Sequence, residues 1–112
     1  MEPEIDWIKI EFEPFFNAEG MAEVDVCGRR LCVVRKEGEW FACAHKCPHA
    51  GGPLVDGYVD GAGNIVCPVH RYKFSLATGR NSSGEGYFLQ VYPVQKRADG
   101  MYVGVARKKW WL

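Results

Sequence analysis

The sequence predicts an all-β fold, an antiparallel β-sandwich or barrel. Apolar residues rarely recur at helical spacing, and glycine is frequent, with 13 among 112 residues. Short alternating runs return at intervals of roughly 8–12 residues, separated by turn-forming residues. Two Pro- and Gly-flanked loops carrying thiol and imidazole groups interrupt the hairpins, which predicts an inserted subdomain over about residues 43–76 within a single domain spanning 1–112.

Ile5 to Phe12 alternates in part, with Ile8, Ile10 and Phe12 against Lys9 and Glu11, and reads as the first strand. Pro14 to Gly20 breaks it, and Phe15-Phe16-Asn17-Ala18 is compatible with a short helix that only tertiary packing would hold. Ala22, Val24 and Val26 alternate with Glu23 and Asp25 in a half-buried strand, and Gly28-Arg29 turns it back into Leu31-Cys32-Val33-Val34. Glu37-Gly38 is a second tight turn, with Trp40 to Ala44 as the return strand of a meander. Val55 to Val59 and Ile65-Val66 flank a glycine-rich turn at 60–64. Tyr72 to Leu76 is a strand ended by Ala77-Thr78-Gly79, and Asn81 to Gly86 is polar and loop-forming. Phe88 to Val94 reads as one strand with an edge or bulge at Pro93, and Asp99-Gly100 turns the chain into Met101, Val103 and Val105.

Composition excludes several classes. The 14 basic and 14 acidic residues cancel, so no general case exists for nucleic acid or an anionic membrane as partner. The charges are unevenly placed: residues 1–25 hold eight acidic side chains against Lys9, whereas the last six residues read Arg107-Lys108-Lys109-Trp110-Trp111-Leu112. Solvated termini are the plain expectation and a docking patch the sharper one; the apolar end of the tail is expected to pack back on a sheet or to meet a partner. No window resembles a signal peptide or a membrane span. Five cysteines without a secretory signal lead us to expect reduced thiols or metal ligands in a cytoplasmic protein.

Chemistry concentrates between Cys47 and Phe74. The first loop reads Cys47-Pro48-His49-Ala50-Gly51-Gly52-Pro53-Leu54 and the second Cys67-Pro68-Val69-His70. Each offers one thiol and one imidazole, a donor set that suits tetrahedral zinc or an iron–sulfur centre. Cys43-Ala44-His45 is a rival first motif, but it ends an apolar strand and lacks the Pro and Gly context, so Cys43 is expected in the core and His45 in the loop. Cys27 and Cys32 are expected to pack as ordinary small apolar residues. Trp40, Phe41, Tyr87, Phe88 and Tyr92 read as core aromatics.

Those two motifs, with 17 residues between His49 and Cys67, resemble the paired cluster-binding boxes of Rieske [2Fe–2S] proteins. The likeness runs from about Ala22 to Val105 and takes in Trp40-Phe41-Ala42, Asp56-Gly57, Tyr72-Lys73-Phe74 and Thr78-Gly79. It is greatest for the small stand-alone Rieske ferredoxins and the similar small subunits of some reductase systems. The resemblance implies a Rieske-like fold carrying one [2Fe–2S] cluster, with Cys47 and Cys67 on one iron and His49 and His70 on the other. It implies a one-electron carrier between a reductase and a terminal oxygenase or reductase, with the small subunit of a nitrite reductase-like complex as a related alternative. A zinc-stabilised binding module is the alternative from another class. A mononuclear iron site of two histidines and a carboxylate cannot be assembled, because only His45 remains once two of the three histidines are assigned. No G-x-S-x-G, P-loop or helix-opening G-x-G-x-x-G is present, so the chain is expected not to be an enzyme by itself.

High-potential members of the family carry an extra cysteine in each box, joined by a disulfide; Gly52 and Val69 stand at those positions here. They also carry a serine and a tyrosine after the second histidine, where this chain has Tyr72 and Phe74. Phe74 has no hydroxyl to donate to a cluster sulfur, and fewer donors stabilise the reduced form less. Voltammetry is expected to give a midpoint nearer about −150 mV than about +300 mV, the two ends of the range for such centres; a clearly positive midpoint contradicts this.

Overall fold

The computed structural model describes residues 5–11, 13–48, 51–69, 71–82 and 86–106. Its strands in chain order are β1 (Ile5–Lys9), β2 (Met21–Val26), β3 (Arg29–Lys36), β4 (Glu39–Ala44), β5 (Tyr58–Val59), β6 (Asn64–Val66), β7 (Lys73–Ser75), β8 (Val91–Tyr92), β9 (Val94–Arg97) and β10 (Gly100–Ala106), with a 3₁₀ turn at Leu54–Asp56. They form three antiparallel sheets, ordered β1-β10-β9, β2-β3-β4-β8 and β5-β6-β7. The expected all-β architecture is present, and the third sheet lies within the interval expected for the subdomain.

The four-stranded sheet is a wall with a core on each side. Leu31 and Val33 of β3, with Ala42 of β4, pack against Val103 and Val105 of β10. Cys32 and Val34, with Cys43, face the other way and join Ile65 and Phe74 of the small sheet. This two-sided burial is why β3 reads as an unbroken apolar run instead of alternating. Phe74, Leu31, Leu54 and Ile65 are fully buried, and each contributes about 1.5–3 kcal/mol by leaving water.

Several local expectations need correction. The turn between β2 and β3 is Cys27-Gly28, one residue earlier than Gly28-Arg29, since Val26 pairs with Arg29. Both turn residues have positive φ (50° and 78°), the pattern of a two-residue turn matched to strand twist. Cys27 is therefore exposed and not packed in the core.

No helix forms at 15–18. The Asn17 side chain organises a turn instead, its Oδ1 accepting from the Glu19 and Met21 N–H groups at 2.9 and 3.0 Å. Phe16 packs edge-on to Trp40, with ring centroids 5.2 Å apart. The strand expected over 88–94 is divided at Pro93, with β8 pairing to β4 and β9 to β10. Proline offers no N–H to a ladder, and here its carbonyl accepts from Gly104 N–H at 2.9 Å while the chain passes from one sheet to the other. Phe88 is exposed and not a core aromatic.

The small sheet is pinned at its turn. Asp60 Oδ1 accepts from the Ala62 and Asn64 N–H groups at 2.9 and 3.0 Å, and the bond from Asn64 holds its carboxyl below the usual range. Lys36 Nζ donates to the Asp60 carbonyl at 2.6 Å, fastening that turn to the end of β3. On the opposite approach, a Cβ on Gly57 would sit 1.9 Å from the Val66 carbonyl oxygen, whereas one on Gly61 would meet nothing within 4 Å. Gly57→Ala is expected to destabilise by at least about 3 kcal/mol and Gly61→Ala to stay within about 0.5 kcal/mol of the parent in urea titrations; equal effects contradict the close approach.

Candidate metal centre

The first loop leaves β4 and returns through the 3₁₀ turn. Lys46 and Pro53 bridge across its base. Cys47 N–H donates to the Gly52 carbonyl at 2.9 Å, and Gly51 N–H returns a bond to the Cys47 carbonyl at 2.8 Å. Gly51 has φ of +71°, which glycine adopts without steric cost. The loop is thus closed on its own backbone with Cys47 at its root.

The second loop joins β6 to β7. It is closed by Cys67 N–H donating to the Tyr72 carbonyl at 2.9 Å, and Val69 N–H points at Cys67 Sγ, 3.4 Å away.

The two loops bring Cys47 and Cys67 together in one core, where both are buried. Burial pushes the Cys67 thiol up, and the adjoining Cys47 thiol adds to the effect, while the Val69 N–H works against it. Before loading, the Cys67 thiol therefore favours its neutral form, and a metal would displace that proton on binding. His49 and His70, the two imidazoles expected with them, lie outside the described residues.

The rival motif is occupied otherwise. Cys43 sits opposite Cys32 on β3, and a hydrogen bond with Cys32, followed by burial, pushes the Cys43 thiol well above its ordinary value. His45 Nδ1 lies 3.3 Å from Glu23 Oε1, and the His45 carbonyl accepts from Leu54 N–H at 3.0 Å. Cys43 is thus a core residue, and His45 helps close the first loop through its backbone. That second role has no sequence signal, since any residue supplies a carbonyl.

Gly52 leaves room beside the thiols. A Cβ there would stand 3.6 Å from Cys67 Sγ and 2.9 Å from Val69 Cγ2. Buried soft sulfurs, an amide N–H aimed at one of them and a glycine keeping the space clear fit a cluster bound through thiolates. The surrounding surface is partly apolar, with Val69 39% and Tyr87 38% exposed, and Tyr87 stacks at a tilt on Tyr72, 5.9 Å between centroids.

An antiparallel all-β scaffold presenting two thiol-bearing loops from one core is that of a candidate metal-centre protein. A profile of the Rieske [2Fe–2S] domain matches residues 6–93, and the chain belongs to that family. It is 33% identical to human apoptosis-inducing factor 3 over 89 residues, covering 79% of this chain but 14% of that protein. It is 28% identical over 80 residues to the ferredoxin component of the alkene monooxygenase system of Xanthobacter autotrophicus, covering 71% of this chain and 66% of the relative. Among solved structures, the complex of reduced oxygenase and oxidized ferredoxin in carbazole 1,9a-dioxygenase superposes with a TM-score of 0.72 at 27% identity, over 92% of this chain and 96% of that one. The chain thus spans only part of the curated relatives it matches.

Gly52 and Val69, the positions where high-potential members are bridged, face each other: a Cβ on Gly52 would lie 3.6 Å from Val69 Cβ, inside the window of about 3.5–4.5 Å that a disulfide needs. The double substitution Gly52→Cys with Val69→Cys is expected to form a bridge, so that thiol titration of the denatured protein still counts five free thiols, the native number. The midpoint potential is expected to move positive. Two additional free thiols in the oxidised protein contradict the geometry.

Proposed function

We propose that this chain is a one-electron carrier of the Rieske ferredoxin kind, holding a [2Fe–2S] cluster on Cys47, His49, Cys67 and His70. The observation that carries the reading is the pair of buried thiols of Cys47 and Cys67 at the roots of two separately closed loops, in a chain of this family. The cluster, when bound, supplies storage for a single electron. The chain's own residues do the rest. Cys47 and Cys67 give up their protons to bind; Val69 N–H faces the Cys67 sulfur; Gly52 keeps space open beside it.

The partners in this reading are a reductase upstream and a terminal oxygenase or reductase downstream, meeting the partly apolar tip around Val69 and Tyr87 in a small, transient contact of the sort redox encounters use. The ferredoxin component and the oxygenase–ferredoxin complex among its relatives support this. Residues 1–112 act as one Rieske-type domain with its cluster-binding part over about 43–76, and the protein works in the cytoplasm. Among the described residues no helix is long and apolar enough to cross a membrane. Substrate turnover belongs to the downstream partner.

Purified protein is expected to contain about two irons and two acid-labile sulfides per chain and to give a paramagnetic resonance signal after dithionite reduction. Cys47→Ser and His70→Ala should each abolish the signal. A colourless protein with stoichiometric zinc overturns the reading.

A further inference from the structure

We propose that Asn17 is a positioning residue for the first metal-binding loop: it ties the turn on which that loop returns to the larger sheet, and so holds Cys47 in place. The proposal rests on the reading of Cys47 as a cluster ligand.

Residues 14–20 run as a strap from the base core to the core beneath the loops. One part is locked to the four-stranded sheet. Arg35 N–H donates to the Gly20 carbonyl at 2.8 Å, and Asn17 N–H donates to the Met21 carbonyl at 2.8 Å. Gly20 has φ of +80°, and a Cβ there would lie 2.6 Å from the Arg35 carbonyl oxygen, so the strap runs against β3 with no room for a side chain. Phe16 packs on the base core, edge-on to Trp40, with the Arg35 guanidinium 4.3 Å from its ring centroid.

The Asn17 side chain reaches the other core. Its Oδ1 takes the N–H groups of Glu19 and Met21, and its Nδ2 donates to the Val55 carbonyl at 3.0 Å. Reversing the amide would set its nitrogen against two N–H groups and its oxygen against a carbonyl, so one orientation satisfies every partner. A carboxylate at this position could keep the two accepted bonds but not the donated one.

Val55 lies in the 3₁₀ turn Leu54–Asp56, which has no side-chain cap, and it packs on the cluster-side core. The turn's backbone bonds are Leu54 N–H to the His45 carbonyl, Asp56 N–H to Pro53 and Gly57 N–H to Leu54. Those bonds hold the turn to its own loop; the Asn17 amide holds it to β2 and β3. Leu54 fixes the exit of the loop against its entrance at His45, two residues before Cys47. A shift of the turn therefore moves the root that carries the first thiol. The second loop has a different support, because it joins β6 and β7, which are paired with one another.

The test uses the cluster-loaded protein. Asn17→Asp keeps both bonds accepted by the side chain and loses the donated one; Asn17→Ala loses all three. Phe16→Leu loosens the strap at the base core and leaves the Asn17 bonds, which makes it the control. Hydrogen exchange, read by mass over residues 46–57, is expected to run about three- to tenfold faster in Asn17→Asp than in the parent, the effect of one lost hydrogen bond. Exchange over residues 29–36 should not change. Bleaching of the oxidised cluster by EDTA should speed by the same factor in Asn17→Asp, at least as much in Asn17→Ala, and not in Phe16→Leu. Unmoved exchange over 46–57 in an iron-replete Asn17→Asp protein overturns the proposal alone. So does faster exchange with unchanged bleaching, or bleaching that Phe16→Leu speeds equally. An iron-free parent overturns the carrier reading and this proposal with it.

Discussion

Burial of β3 on both faces is the constraint from which the rest of the molecule follows. Leu31 and Val33 close the base, and Cys32 and Val34 close the core beneath the metal-binding loops. Each side depends on the other, because a polar group at any of these four positions would be taken from water without a partner. The wall also delivers the site: β4 is registered against β3 through Leu31–Ala44, and Cys47 follows three residues later. The thiols are therefore mounted on a packed sheet and not on a free loop, which is how a binding constellation is kept precise.

The same arrangement explains why the two thiols are buried although they sit on loops. Each loop closes on its own backbone, through Cys47 N–H to the Gly52 carbonyl and Cys67 N–H to the Tyr72 carbonyl, so the amide of each cysteine is satisfied locally and its side chain can be turned inward. Leu54 and Phe74, just past each loop, enter the same core and anchor the return of the chain. Cys32 and Cys43 are equally buried, but they face one another within the β3–β4 ladder, whereas Cys47 and Cys67 stand at the roots of the two loops.

Strands with polar alternation, such as β2, and the glycine-marked turn at Glu37-Gly38 were legible in the sequence because their signals are local. The two cysteine motifs were legible for the same reason: each lies within a few consecutive residues. What could not be read depends on distant partners. Asn17 serves a turn through its Oδ1 while its amide donates to the Val55 carbonyl at 3.0 Å, 38 residues away. The division at Pro93 is a choice between two sheets, and the period of the strand is the same whichever sheet it joins. The one-residue shift of the turn onto Cys27 arises because pairing of Val26 with Arg29 leaves only two residues to reverse the chain.

The facing of Gly52 and Val69 has a consequence for how such a scaffold is tuned. The backbone already holds these two positions at bridging distance, yet neither residue can bridge. A covalent link between the two loops is then separable from architecture: whether it exists depends on which side chains occupy two adjoining seats, and exchanging them requires no rebuilding of the loops that present them.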